Sequence, residues 1–163
     1  MQIFATSECP IECAKALDDR RLVKMCTETA QILSGAVRLA GGITGDCAHV
    51  RVYRLYNKGS TLIKWAASSR ERYVWLLRHF VALLDEYTAR YGKRHGSSKV
   101  LALLTSNIGY ITPSDAPLAF VNLAKRESLG IDFTHMEDVH DAYRTYLCRR
   151  WELENPKWGG KQC

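Results

Sequence analysis

Residues 17–39 read LDDRRLVKMCTETAQILSGAVRL. On a helical projection they part into two faces. Leu22, Cys26, Ala30, Leu33, Val37 and Ala40 recur at steps of three and four and make an apolar stripe. Arg21, Lys24, Glu28, Gln31, Gly35 and Arg38 recur at the same steps on the other side, and that stripe is wholly polar or glycine. Asp18 and Asp19 stand where an N-cap belongs, with negative charge at the positive end of the helix dipole. Gly41 and Gly42 stand where the helix must stop. Two readings of the polar stripe carry equal weight. One is a solvated face with a Lys24–Glu28 i,i+4 pair. The other is a site, with one acid held among bases and Gly35 letting another group approach the backbone closely.

Working outward, Gln2 to Ala5 is a short apolar, extended piece, and Pro10 opens a short helix running to about Leu17. Residues 41–60 read as a loop. Within it VRVYRLY, residues 50–56, alternates like a strand but has no partner strand, so it is a loop or a single extended piece. Ser60 or Thr61 starts a helical segment, TLIKWAASS. The longest helix signal spans Ser69 to Tyr91, with Tyr73, Leu76, Leu77, Phe80, Leu83, Leu84 and Tyr87 on its core face and Gly92 and Gly96 at its end. Ser97 and Ser98 cap a short helix through Leu104. Residues 105–134 are mostly loop, broken by Pro113 and Pro117, with a short helix expected near Phe120 to Arg126. A last helix is expected from about Met136 to Glu152, turning Val139, Ala142, Tyr143, Tyr146 and Leu147 inward. Without repeats or linkers, the pattern predicts one compact all-α domain over residues 1–163, of about five helices.

With 163 residues the chain can bury a real core. No run approaches the ~20 apolar residues of a membrane span, and the N-terminus lacks a basic region followed by an apolar block. These features predict a monomer kept in the cytoplasm, away from membranes. Lys plus Arg is 23 against 17 Asp plus Glu, a net charge of +6, which favours a polyanionic partner, nucleic acid first. The six cysteines, at 9, 13, 26, 47, 148 and 163, show no second Cys/His pair at zinc spacing, so neither a metal nor a cofactor is expected. They read as reduced thiols, with Cys26 a small core residue. The histidines at 49, 79, 95, 135 and 140 form no triad order and read as structural or surface residues.

Two sets of residues are suited to chemistry or binding. Glu28, beside Lys24 and Arg21, can act as a base or stabilise a developing cation; as a surface ion pair it would contribute under about 1 kcal/mol. A basic and aromatic set is suited to phosphates and bases: Arg20, Gln31 and Arg38 on the first helix, Arg70, Arg72, Arg90, Lys93 and Arg94 on or after the long helix, and Arg149 and Arg150 near the C-terminus. Most aromatics, taken singly, belong to the core.

The main helix resembles that of the small all-α pyrimidine-dimer DNA glycosylases encoded by phages. Their motif has an Asp, a His after one intervening residue, an aliphatic, and a Glu seven residues after the His. Asp19, Arg21, Leu22 and Glu28 stand at those places, and GAVR at 35–38 is similar to the family's continuation. The resemblance covers residues 15–42, with a weaker similarity at LLDEYTARYGKRH. It implies a phage- or bacterium-encoded enzyme that binds duplex DNA, kinks it and flips a damaged or modified pyrimidine nucleotide. It also implies an N-terminal amine as nucleophile and a helix glutamate, here Glu28, that stabilises the charged sugar. Arg21 replaces the family's His. Gln2 is bulky where the family exposes a small residue after methionine removal, so the amine available here is that of Met1. The catalytic set expected is therefore Glu28, Met1, Arg21 and Lys24. Three functions stay open: a DNA glycosylase or lyase, a transferase that hypermodifies a phage DNA base on the same scaffold, and an inert DNA-binding or host-inhibiting protein.

Overall fold

The computed structural model describes residues 1–42, 53–55, 57–114 and 117–158. Its centre is the predicted main helix, which we label α2, Asp19–Leu39. The Asp18 carboxylate caps it by accepting the Arg21 N–H at 3.1 Å. Leu22, Cys26, Ala30, Leu33 and Val37 of the apolar stripe are fully buried, and so are Met25, Ile32 and Ala36 beside them. Each large side chain among these contributes about 2 kcal/mol by leaving water. Burial also pushes the Cys26 thiol up to about 12, so it remains an inert core thiol.

Four further helices pack against or beside α2: α1 (Pro10–Lys15), α3 (Thr61–Ala67), α4 (Arg70–Tyr91) and α5 (Leu101–Ser106). The seven residues expected on the core face of α4 are all buried. Ser69 caps that helix, and Gly92 ends it in the left-handed region at φ +65°. A final helix, α6 (Val139–Glu154), starts three residues later than the periodicity suggests. The Asp138 carboxylate accepts the His140 and Asp141 N–H groups there and fixes the start.

The all-α reading holds, with six helices among the described residues rather than about five. Two local expectations need correction. The segment near Phe120 to Arg126 is not helical: it runs extended into β1 (Lys125–Arg126), which pairs antiparallel with β2 (Ile131–Asp132). Asn122 holds it there, donating to the Phe133 and Met136 carbonyls at 3.0 and 3.2 Å. The turn after residue 96 is a 3-10 helix, Gly96–Val100, capped by His95, whose Nδ1 accepts the Ser97 N–H at 3.1 Å. Most of the alternating stretch at 50–56 lies outside the described residues. Cys9, Cys13 and Cys26 are free thiols, while Cys47 and Cys163 lie outside the described residues. Among the described residues no helix is long and apolar enough to cross a membrane.

Candidate active site

Glu28 lies near the middle of α2, and what it faces is the N-terminus of the chain. Its Oε2 accepts the Gln2 backbone N–H at 3.4 Å, and its Oε1 lies 3.1 Å from Lys24 Nζ. The Lys24 side chain is 66% exposed and that of Glu28 only 16%, so the carboxylate is drawn inward and the ammonium stays in water. The i,i+4 pair read from the sequence exists, but it is half of a larger arrangement.

The N-terminal residues reach Glu28 because several contacts fix them. Ile3, Phe4 and Ala5 are buried. Phe4 takes the left-handed region at φ +45°, a cost of about 1 kcal/mol for a non-glycine residue, and its ring packs at 6.1 and 6.0 Å on Tyr143 and Tyr146 of α6. Gln2 is clamped at its far end. Its Nε2 donates to the Leu123 carbonyl at 2.5 Å, and its Oε1 lies 3.2 Å from the Tyr143 hydroxyl. That hydroxyl also faces the Val121 carbonyl at 3.1 Å and accepts the Leu123 N–H at 3.2 Å. Burial pushes the Tyr143 pKa upward, so the hydroxyl stays protonated and donates. The bulk that sets Gln2 apart from a small second residue is therefore an anchor. It leaves Met1 43% exposed, at the edge of a cleft.

That cleft has a volume of about 570 Å³, and its described lining is Met1, Gln31, Tyr53, Arg54, Asn57 and Ile63. Gln31 follows Glu28 by one turn of α2. Tyr53 is held at both ends: its hydroxyl lies 2.9 Å from Ser97 Oγ, and its carbonyl accepts Arg38 Nε at 3.1 Å. Asn57 Oδ1 accepts the Gly59 N–H at 2.8 Å, which leaves its Nδ2 as the donor. Ile63 of α3 is the group that comes close to Gly35. A Cβ built on Gly35 would lie 2.8 Å from Ile63 Cδ1. The glycine is thus a helix–helix contact that sets one wall of the cleft, not an approach point for a ligand.

Two residues expected at the site are turned elsewhere. Arg21 is only 5% exposed and pairs with Asp18 and, at 2.5 Å, with Glu154 of α6. Trp151 Nε1 donates to the same Asp18 at 3.0 Å. Arg21 therefore locks α6 onto the start of α2, with its guanidinium engaged there and not among the residues that line the cleft. Arg90, expected on DNA, has a side chain only 4% exposed. It bonds Glu86 at 2.8 Å, Asp19 at 3.0 Å and the Leu17 carbonyl at 2.7 Å, which closes α4 onto the α1–α2 junction.

The other cations differ in availability. Arg70 is half-buried and donates to the Ile111 carbonyl at 3.0 Å, and half-buried Arg72 donates to Ser68 Oγ at 2.9 Å. Arg150 is paired with Glu154 and lies over the Tyr146 ring. Arg149 is exposed and meets Glu152 at 2.7 Å. Arg20, Lys93 and Arg94 are exposed. Arg38, rather than facing out, holds Tyr53. Sequence reasoning missed Tyr53, Arg54 and Asn57. An aromatic and a cation in adjacent positions were the available signal, inside a stretch read only as loop.

The site is thus an inward carboxylate at the first backbone amide of the chain, beside an open cleft on a helical scaffold. The chain belongs to the pyrimidine dimer DNA glycosylase family, whose profile matches residues 1–99. That span contains the N-terminal anchor residue, Glu28 and every described residue of the cleft, and it stops before α6. The family acts on DNA, so DNA is the partner. No curated protein matches the chain, and no solved structure does.

Proposed function

We propose that the protein is a DNA glycosylase that attacks the sugar of a flipped, damaged or modified pyrimidine nucleotide in duplex DNA with its N-terminal amine. The observation that carries this reading is the Glu28 carboxylate 3.4 Å from the first peptide nitrogen of the chain, at the edge of a cleft that Met1 lines. The amine lone pair attacks C1′ while the C1′–N1 bond breaks, and the base leaves with that electron pair. The proton lost by the new C1′-bound nitrogen passes by way of Glu28 to the departing base. Breaking C1′–O4′ then opens the sugar to an iminium, with O4′ taking up a proton as a hydroxyl. Glu28 stabilises the positive charge that develops on the sugar during the first step. Lys24, in water beside Glu28, offers its charge to a flanking phosphate, as do exposed Arg20, Lys93 and Arg94.

Borohydride trapping on duplexes that carry a thymine dimer, uracil or an abasic site tests this. Wild-type protein forms a covalent adduct, and Glu28→Gln lowers its rate by about 10²-fold or more while costing under about 1 kcal/mol of stability. Normal trapping by Glu28→Gln overturns the assignment. Turnover without trapping, and only on a duplex with a pre-modified base, assigns the scaffold to base-modifying transfer instead. DNA binding that survives Glu28→Gln with no turnover of any duplex assigns it to an inert binder.

A further inference from the structure

We infer that the groove over the outer face of α4, between α1 and α5, is where two copies of this chain associate, related by a two-fold axis that crosses α4 between Val81 and Ala82. This departs from the monomer that the composition predicts, and it does not depend on the chemistry proposed for Met1 and Glu28. The groove has a volume of about 540 Å³. Ile11 on its α1 lip is 53% exposed, and Val81 on its floor is 37% exposed. Arg78, Val81, Ala82 and Asp85 recur at steps of three and four, so they form one stripe of α4 along the floor. Both charged residues are exposed, and neither side chain has an ion-pair or hydrogen-bond partner among the described residues. Local sequence gives them none: the positions three and four residues from each, at 74, 75, 81, 82, 88 and 89, are Val, Trp, Val, Ala, Thr and Ala. Nor do they reach one another, because seven residues of helix set them about 10.5 Å apart along the axis.

A second copy supplies what the first lacks. Arg78 and Asp85 each lie three and a half residues from the point between Val81 and Ala82. A two-fold axis through that point lays the two α4 helices antiparallel. Arg78 of each copy then stands over the partner's Asp85, so one rotation forms two ion pairs. A parallel approach in register sets Arg78 on the partner's Arg78 and Asp85 on the partner's Asp85, and like charges oppose it. The charge order along the stripe therefore selects the two-fold arrangement. Ile11 and Val81 supply the apolar surface that leaves water between the pairs. Two exposed apolar side chains place the contact at the small, transient end of interface sizes, with a dissociation constant on the order of 10 to 100 µM. The described linings of this groove and of the cleft beside Met1 share no residue, so the pair keeps both clefts open.

Sedimentation equilibrium of the full chain, from about 5 to about 500 µM at low salt, tests this. The weight-average mass of wild type should climb with concentration toward twice the 18.5 kDa of one chain, and about 0.5 M salt should weaken the association by screening the ion pairs. Arg78→Glu and Asp85→Lys each set like charges against one another twice, and each should raise the dissociation constant about tenfold or more. Combining the two restores opposite charges and should bring association back to within about threefold of wild type. Val81→Lys places two ammonium groups beside the axis and should abolish association without using either ion pair. All three positions face water, so melting temperatures close to that of wild type show each variant folded. A wild type that stays monomeric at every concentration overturns the inference. So do single charge reversals that associate as wild type does, or a double reversal that fails to recover.

Discussion

The Gln2–Tyr143 contact makes the N-terminus a positioned group, and its removal has a calculable effect. Gln2→Leu keeps the size of the side chain and, being bulky, keeps Met1. It deletes the Nε2 bond to the Leu123 carbonyl, but that oxygen still accepts the Lys125 N–H at 2.7 Å, so nothing is orphaned there. The Tyr143 hydroxyl likewise keeps the Val121 carbonyl. The expected loss is about 1–2 kcal/mol. Tyr143→Phe is costlier, about 2–3 kcal/mol, because the Leu123 N–H and Gln2 Oε1 both lose the hydroxyl. Only one bond is common to the two changes, so the double variant should show a coupling of about 1 kcal/mol. Urea unfolding of the four proteins measures this. Under the proposed mechanism the functional consequence is larger than the stability loss: a nucleophilic amine displaced by about 1 Å loses up to about 10²-fold in rate. Single-turnover trapping should slow by at least about tenfold in both variants, while DNA affinity stays within twofold. Variants that lose stability yet trap at the wild-type rate would refute the anchor's role in positioning the amine and leave it as ordinary packing.

Two other outcomes follow from the fold. Gly35→Ala gains up to about 1 kcal/mol of helix propensity, but its Cβ meets three Ile63 side-chain atoms, at 2.8, 3.1 and 3.2 Å, at a cost of about 1–3 kcal/mol. The melting temperature should fall, and adding Ile63→Val, which removes the nearest atom, should restore most of it; no recovery would mean that α3 does not make the contact. His79 is fully buried. Its Nδ1 donates to the Pro10 carbonyl at 3.0 Å and its Nε2 has no partner among the described residues, so a second proton would be orphaned. Burial holds its pKa down at about 4 against 6.5 in the unfolded chain. The unfolded state therefore binds the extra proton between those values. This contribution to stability is complete above about pH 6.5 and is lost as pH falls toward 4, by about 2 kcal/mol between pH 7 and pH 5. His79→Phe should flatten that part of the pH–stability curve measured by urea unfolding, and an unchanged slope would count against it.

The sequence by itself determined the elements whose causes are local. The apolar stripe of α2, its Asp18 cap, the core face of α4 and the glycine that ends it depend on neighbours within a turn or two, and a period of 3.6 is visible in one dimension. Glu28 was singled out because its neighbours on the stripe are i±3 and i±4. The partners that decide its role come from far along the chain: Gln2 is 26 residues away, and the anchor of Gln2 on Tyr143 spans 141. Arg21 and Arg90 show the same limit from the other side. On a helical wheel both belong to a basic surface, yet Arg21 closes an ion pair across 133 residues and Arg90 across 71, and both side chains are withdrawn from water. The helix at 120–126 fails for a related reason, because Asn122 and Tyr143 supply hydrogen bonds that hold this segment extended, outweighing a weak local preference. Residue type and periodicity fix which side chains share a face of an element. Only the packing of α6 and the N-terminal residues against α2 decides which of those faces becomes a core, a clasp or a cleft, because burial sets the cost of leaving each charge and each hydrogen-bonding group without a partner.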